Sequence, residues 1–332
     1  MCSKVRGSRS EGGVLRGWRE RRDADLPPCA MDVAVGSVRL PSPVMTASGT
    51  AGHGAELAAY QDLSALGAVV VKSLSADPWP GNPAPRVHAA AAGMLNSVGL
   101  QGPGVAAWRA DDLPALAATG ARVVASIWGR SVDDYRRAAA ALEGVGDEVV
   151  AVEVNLSCPN TEAGRDLFAH DPEATAAVLA VTAGCGRPRW AKLSPNTPRV
   201  VEVAGAAAAA GAEAVTLVNT VMGLAIDPET RTYRLGAGAR GGGLSGAAVH
   251  PVAVRVVHDV HRAHPGLPIV GVGGVTDAAT AVELLLAGAS AVQVGTATFA
   301  DPRAPSRVQR DLEHWCRRRG IPAVAELTGG LR

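Results

Sequence analysis

The sequence predicts an α/β fold, a (β/α)8 TIM barrel, from three observations. Eight short apolar runs recur along the 332 residues: Val44–Ser48, Ala68–Lys72, Arg122–Ile127, Val149–Asn155, Arg189–Leu193, Ala214–Val218, Pro268–Gly271 and Ala291–Val294. Each is followed by a stretch of helical character, near 55–65, 104–118, 131–143, 171–184, 197–210, 246–263, 276–287 and 303–319. The runs are continuously apolar rather than alternating, as expected for strands covered on both faces. Strict alternation of eight such pairs favours a closed barrel over a doubly wound sheet.

The individual elements follow from local signals. Glycine occurs 39 times and aromatics make up only 3% of the chain, so small side chains let helices pack closely on the sheet. Ser131 before Val-Asp-Asp, Asp171 before Pro172 and Glu173, and the pair Thr276-Asp277 are helix starts. Val33–Leu40 predicts a short N-terminal hairpin closing the barrel bottom. Residues 1–30 read as a disordered extension or as sequence upstream of the true start, and 31–332 as a single barrel domain. Long loops are expected after strands two, four and six; 73–103 and 219–245 are too long for simple turns. All three follow the C-terminal ends of strands, where barrel active sites lie.

Composition excludes several classes. The net charge is +1, with +3 on residues 1–30 and −2 on the remainder, so the body offers no basic face for nucleic acid. No run reaches the roughly 18 apolar residues needed to span a bilayer. The five cysteines, at 2, 29, 158, 185 and 316, contain no CxxC and are irregularly spaced. That argues against a disulfide framework or a bound metal, and points to a reducing cytoplasm. Cys185 and Cys316 read as buried small hydrophobes.

Scarce residues mark the site. Of 32 basic residues only Lys4, Lys72 and Lys192 are lysine, and asparagine occurs six times, at 82, 96, 155, 160, 196 and 219. Lys72, Asn155, Lys192 and Asn219 fall at or just past the ends of strands two, four, five and six; Asn96 and Asn160 lie in the loops after strands two and four. A barrel would bring these distant segments to one rim. Cys158, in a polar loop braced by Pro159, is placed to act as base or nucleophile. With no histidine in a Cys–His motif, proton abstraction is favoured over acyl transfer. Gly271–Val275 after strand seven and Gly295-Thr296 after strand eight predict a phosphate site, since glycine backbone N–H groups can approach an anion. Gly241–Gly246 is a third glycine-rich piece facing the same ligand.

The whole pattern resembles class 1 dihydroorotate dehydrogenases. The resemblance runs from about Met31 to Pro302 and rests on Ala47–Thr50, Lys72-Ser73, Gly81–Pro83 with Pro85-Arg86, Asn96–Gln101, Asn155–Asn160, Lys192–Asn196, Gly241–Gly246, Gly271–Val275 and Gly295–Ala297. It implies an FMN-dependent oxidation of dihydroorotate to orotate in pyrimidine biosynthesis. In it Cys158 takes the C5 proton and the C6 hydride goes to flavin N5. The implied orotate cradle is Lys72, Asn96, Val98, Gly99, Leu100, Asn155, Asn160, Asn219 and Thr220. The implied FMN site is Ala47, Ser48, Gly49, Lys72, Ser73, Asn155, Lys192, Gly246, Gly273, Gly274, Gly295 and Thr296, with Lys192 at the flavin N1–C2=O edge and the glycines at the phosphate. Cys at the base position, Met222–Thr230 and Gly242–Gly246 look most like class 1B, which implies a homodimer paired with a separate FAD and iron–sulfur subunit. Gly102 departs from the family, which usually has Asn there. The alternatives are a related flavin reductase acting on another unsaturated ring, and a non-catalytic barrel binding a phosphate ligand.

Overall fold

A computed structural model describes residues 26–157 and 167–332. Strands β1 (Val33–Val35) and β2 (Val38–Leu40) form the expected hairpin, turning at Gly36, where φ is +61°. The N–H of Ser37 donates to Glu213 Oε2 at 2.8 Å, immediately before the sixth barrel strand. The hairpin therefore lies under the N-terminal ends of the strands. In the described part of the N-terminal extension, Ala30 bridges Ala323, and the Arg317 guanidinium donates to the carbonyls of Leu26 and Pro27.

The chain then runs through β3 (Val44–Thr46), β4 (Val69–Val70), β5 (Val87–Ala90), β6 (Gly93–Asn96), β7 (Val123–Ile127) and β8 (Val149–Asn155). It continues through β9 (Arg189–Lys192), β10 (Ala214–Leu217), β11 (Val221–Gly223), β12 (Ile226–Asp227), β13 (Thr232–Tyr233) and β14 (Gly242–Ser245), and ends its sheets with β15 (Ile269–Val272) and β16 (Ala291–Val294). Eight of these pair in parallel in the order β3-β16-β15-β10-β9-β8-β7-β4. The edge strands meet: Thr46 N–H donates to Ala68 O at 3.3 Å, and Val70 N–H to Thr46 Oγ1 at 2.9 Å. The sheet is thereby closed into a barrel, one strand from each of the eight apolar runs.

The surrounding helices are α1 (Val105–Asp111), α2 (Leu113–Ala117), α3 (Val132–Ala140), α4 (Pro172–Val181), α5 (Val200–Ala209), α6 (His250–Ala263), α7 (Ala278–Ala287), α8 (Ala297–Ala300) and α9 (Ala304–Arg318). The expected caps are formed. Ser131 Oγ accepts from Asp134 N–H, Asp171 from Ala174 N–H, and Asp277 from Thr280 N–H. Two expectations fail. The stretch 104–118 splits into α1 and α2 because Pro114, with no N–H, cannot continue the ladder. The stretch 55–65 holds only a 3₁₀ turn, Glu56–Ala59, because the Glu56 carboxylate accepts from His53 and Gly54 N–H and Asp62 closes a turn on Ser64.

A third difference concerns the connections expected as loops after strands two and six. They pair with each other into an antiparallel sheet of order β11-β14-β6-β5, with Asn96 opposite Gly243, and β12 and β13 add a hairpin. Neither segment can satisfy its backbone alone at the barrel mouth, so each completes the other's ladder. Part of the expected loop after strand four, 158–166, lies outside the described residues. The core is aliphatic, with Trp108, Trp190, Tyr135 and Phe168 the largest fully buried side chains. Cys185 and Cys316 are buried as expected, and burial pushes the Cys316 thiol up to about 12.

Candidate active site

A cavity of about 800 Å³ opens at the C-terminal ends of the barrel strands, roofed by the added sheet. Cavities of this size hold cofactor-sized ligands. It is lined by every described residue anticipated for the site: Ala47, Ser48, Gly49, Lys72, Ser73, Asn96, Val98, Gly99, Leu100, Asn155, Lys192, Asn219, Thr220, Gly246, Gly273, Gly274, Gly295 and Thr296. Cys158 and Asn160 lie outside the described residues. A more open depression of about 720 Å³ shares Lys72 and Trp79 with it and is bordered by His53 and Asp112. Burial holds the His53 imidazole below its usual range, with Asp112 opposing the shift and Lys72 adding to it.

The strand-end side chains are linked rather than scattered. Ser48 Oγ lies 3.1 Å from Ser73 Oγ, which lies 2.8 Å from Ser126 Oγ. Asn155 Nδ2 donates to Ser73 Oγ at 3.2 Å, and Asn219 Nδ2 donates to Asn155 Oδ1 at 3.1 Å. Four strand ends, β3, β4, β8 and β10, are thus joined across the mouth. The Tyr135 hydroxyl, reaching in from α3, donates to the Asn155 carbonyl at 2.6 Å and pins the end of β8. Asn196 holds the segment after β10, donating to Thr220 O and accepting from Met222 N–H, both at 2.9 Å. An amide offers donor and acceptor at once, so this ring of Asn suits a flat ligand with alternating carbonyl and N–H groups.

The roof contributes Val98, Gly99 and Leu100. The Asn82 side chain donates to Ser97 O and Oγ, and Trp79 Nε1 donates to Gly99 O at 3.0 Å. Gly99 and Leu100 both adopt positive φ, +71° and +63°. A leucine in this conformation is uncommon, and such positions persist where surrounding structure over-determines them. Arg86 donates to Gln101 Oε1 and to the carbonyls of Asn82 and Pro80, stitching the segment together. Trp79 stacks edge-on to Trp128 at 6.0 Å and lies under the Arg130 guanidinium.

The opposite end of the cavity is built from backbone. Gly273 (φ +138°) is pressed onto Ala253 and Gly274 (φ +68°) onto His250, where an added Cβ would lie 2.7 and 2.6 Å from the neighbouring Cβ. Gly246 (φ +101°) would clash with Gly93 Cα at 2.6 Å. Among the described residues, no acceptor takes the backbone N–H of Gly274, Gly295 or Thr296. Cavity-lining donors of this kind are what a phosphate requires. Thr296 Oγ1 donates to Ser245 Oγ at 2.8 Å, tying this end to the roof. His250 braces the glycine loop: its Nδ1 lies 2.8 Å from Gly273 O and its Nε2 3.2 Å from Glu283 Oε2. Backbone donors at one end and an amide-lined rim at the other, with a buried lysine between, suit an elongated ligand that carries an anionic group at one end and a flat ring at the other.

Several participants were not singled out in the sequence: Ser126, Tyr135, Glu153, His250 and Gln293. Ser126, Glu153 and Gln293 lie inside otherwise apolar strands, and that interruption is the one signal that could have revealed them. Among the described residues, no cluster of three His, Cys, Asp or Glu could hold a metal ion, and no helix is long and apolar enough to cross a membrane.

Comparison with known proteins shows the family of the chain. A family model described as dihydroorotate dehydrogenase matches residues 30–316. A protein from Desulforudis audaxviator, "Dihydroorotate dehydrogenase B (NAD(+)), catalytic subunit", is 48% identical over 298 residues, covering 90% of this chain and 96% of its own. One of the same name from Geobacter sp. (strain M21) is 44% identical over 302 residues, 91% and 98% of the two chains. A relative from Solibacter usitatus, 46% identical over 296 residues, covering 89% and 96%, is named for the A (fumarate) type.

Proposed function

The chain belongs to the dihydroorotate dehydrogenase family, flavin-dependent oxidoreductases that convert dihydroorotate to orotate, and on that premise we propose the following division of labour among its residues. FMN is the flavin, with its phosphate on the N–H groups around Gly246, Gly273, Gly274, Gly295 and Thr296. Ala47, Ser48, Gly49, Ser73 and Asn155 would hold its ring, and Lys192 would donate to it. When bound, FMN supplies a two-electron acceptor for the C6 hydride of the substrate. Lys72, Asn96, Asn155, Asn160, Asn219 and Thr220, with the backbone of Val98–Leu100, would bind and orient dihydroorotate. Cys158 accepts the C5 proton.

The observation that carries this reading is the hydrogen-bonded chain Ser48–Ser73–Asn155–Asn219. It presets the amide faces on the floor of one cavity, between Lys72 and Lys192. A ligand entering there finds its donors and acceptors already oriented, which lowers the cost of binding.

The reduced enzyme must hand on its electrons. The five cysteines of the chain contain no cluster-binding pattern, and the relatives named above as catalytic subunits are of the NAD type. A separate FAD and iron–sulfur subunit is therefore the partner we assign, acting on a homodimer of this chain in the cytoplasm, with no role for nucleic acid or membrane. The test is an anaerobic titration of the yellow protein with dihydroorotate. We expect the flavin absorbance to bleach, and Cys158→Ala to slow bleaching by about 10²–10⁴-fold near neutral pH. Bleaching at the unaltered rate in Cys158→Ala would remove Cys158 from the mechanism. Reoxidation by fumarate alone would overturn the partner assignment.

A further inference from the structure

Beneath the cavity floor the barrel interior holds three polar side chains in a closed triangle. Glu153 is fully buried on β8, Gln293 is fully buried on β16, and Lys192, 5% exposed, ends β9. Gln293 Nε2 donates to Glu153 Oε2 at 2.8 Å, Lys192 Nζ lies 3.4 Å from Glu153 Oε1, and Lys192 Nζ donates to Gln293 Oε1 at a long 3.5 Å. Among the described ion pairs this is the one with both side chains out of solvent. Apart from Asn155 at the end of β8, the rest of β8 and β16 is Val and Ala, and well-packed apolar residues in place of a buried ion pair are often as stable, because burying two charges costs much of what their attraction returns. The fold does not need the triangle, so its use lies in what it presents to the cavity.

We propose that Glu153, held by Gln293, is a positioning and charge-setting residue for Lys192. Of the ammonium's N–H groups Gln293 Oε1 takes one, Glu153 Oε1 lies within ion-pair range at 3.4 Å without a hydrogen bond, and the ammonium keeps donors for the cavity that Lys192 lines. The carboxylate cancels much of the field that a bare buried cation would project onto the cofactor. Lys192 thus offers a directed hydrogen bond without the full pull of an uncompensated charge, and the reduced ring remains able to pass electrons onward. The amide orientation is dictated by chemistry: only with Nε2 toward the carboxylate and Oε1 toward the ammonium do both contacts match donor to acceptor.

The inference rests on the FMN reading above, and the test separates the two. Purified wild type, Glu153→Gln and Gln293→Glu are compared by the sulfite affinity and midpoint potential of their bound flavin. Glu153→Gln removes the compensating charge at constant shape; the anionic sulfite adduct should bind at least about tenfold more tightly, equivalent for a two-electron couple to about 30 mV more positive. Gln293→Glu adds a second carboxylate and should shift both quantities in the opposite direction. A role in folding alone would not give shifts of opposite sign. Unchanged values in a flavin-loaded Glu153→Gln protein, or shifts of one sign in both variants, overturn the proposal. Should Glu153→Gln not fold, an unshifted Gln293→Glu overturns it equally. Wild type that carries no flavin overturns the FMN reading, and this inference with it.

Discussion

The two ends of the cavity are made differently. One is a backbone surface, in which Gly246, Gly273 and Gly274 expose N–H groups because they have no side chain and are pressed against Gly93, Ala253 and His250. The other is a side-chain surface, in which Ser48, Ser73, Asn155 and Asn219 come from four strands and orient one another. A backbone site is fixed by main-chain conformation and tolerates almost no addition. A side-chain site is fixed by a network and loses function gradually as members are removed. The first should fail by losing the cofactor; the second serves ring and substrate together, and at Asn219, its substrate end, it should fail by losing affinity for substrate while keeping the cofactor.

The largest effect separating the two ends is expected at Gly274. Gly274→Val combines positive φ with a backbone-side clash, and the purified protein should contain less than about a tenth of the wild-type flavin, since strain of this kind costs roughly 1–3 kcal/mol. Absorbance against protein concentration measures it; full flavin content would show that the loop has another purpose. Next comes Asn219→Ala at the opposite end, which removes the amide that donates to Asn155 Oδ1 and that is assigned to the substrate alone. KM for dihydroorotate should rise roughly 10- to 100-fold, the cost of about 1–3 kcal/mol for buried groups left unpaired, while flavin content is retained. Steady-state kinetics beside flavin content checks both halves. Loss of flavin instead would mean that the two ends are not separable.

Asp277 offers a smaller test, because it caps α7 just beyond the glycine loop. Asp277→Ala should cost about 1 kcal/mol of stability and leave KM untouched, as read by thermal melting and kinetics. The hydrogen bond from Thr280 N–H holds the Asp277 carboxyl below its usual range. Its contribution is therefore present above the pKa of the unfolded carboxyl and is lost as pH falls through the lower folded value. The wild-type and variant melting curves should converge in acid. His53 gives the smallest effect, with opposite logic. Burial lowers its pKa, so protonation favours the unfolded chain, and stability falls as pH drops below the ordinary imidazole value toward the lower folded one. His53→Gln should flatten the stability–pH curve in that window alone; an unchanged slope would assign it to other groups.

This contrast also explains what was legible in the sequence. The backbone end could be read directly, because glycine at 273, 274 and 295 is a local requirement visible at a single position. Lys72, Asn155, Lys192 and Asn219 were legible because asparagine and lysine are rare in this chain, and strand ends of a barrel converge. Ser126 and Tyr135 were not, since each acts only through a neighbour distant in sequence: Ser126 through Ser73 and Tyr135 through the Asn155 carbonyl. The pairing of 87–96 with 221–245 was hidden for the same reason. Glycine-rich, weakly apolar segments carry little strand signal, and their ladder exists only because each meets the other. The barrel itself was legible, since continuously apolar runs alternating with helices need no partner to be recognised.

That shared ladder has a consequence for dynamics. With Asn96 opposite Gly243 and Met94 opposite Ser245, opening either excursion exposes the amides of both. The roof is thus one cooperative unit, and amide hydrogen exchange at 94–96 and 242–245 should proceed with a common opening free energy, below that of the barrel strands beneath.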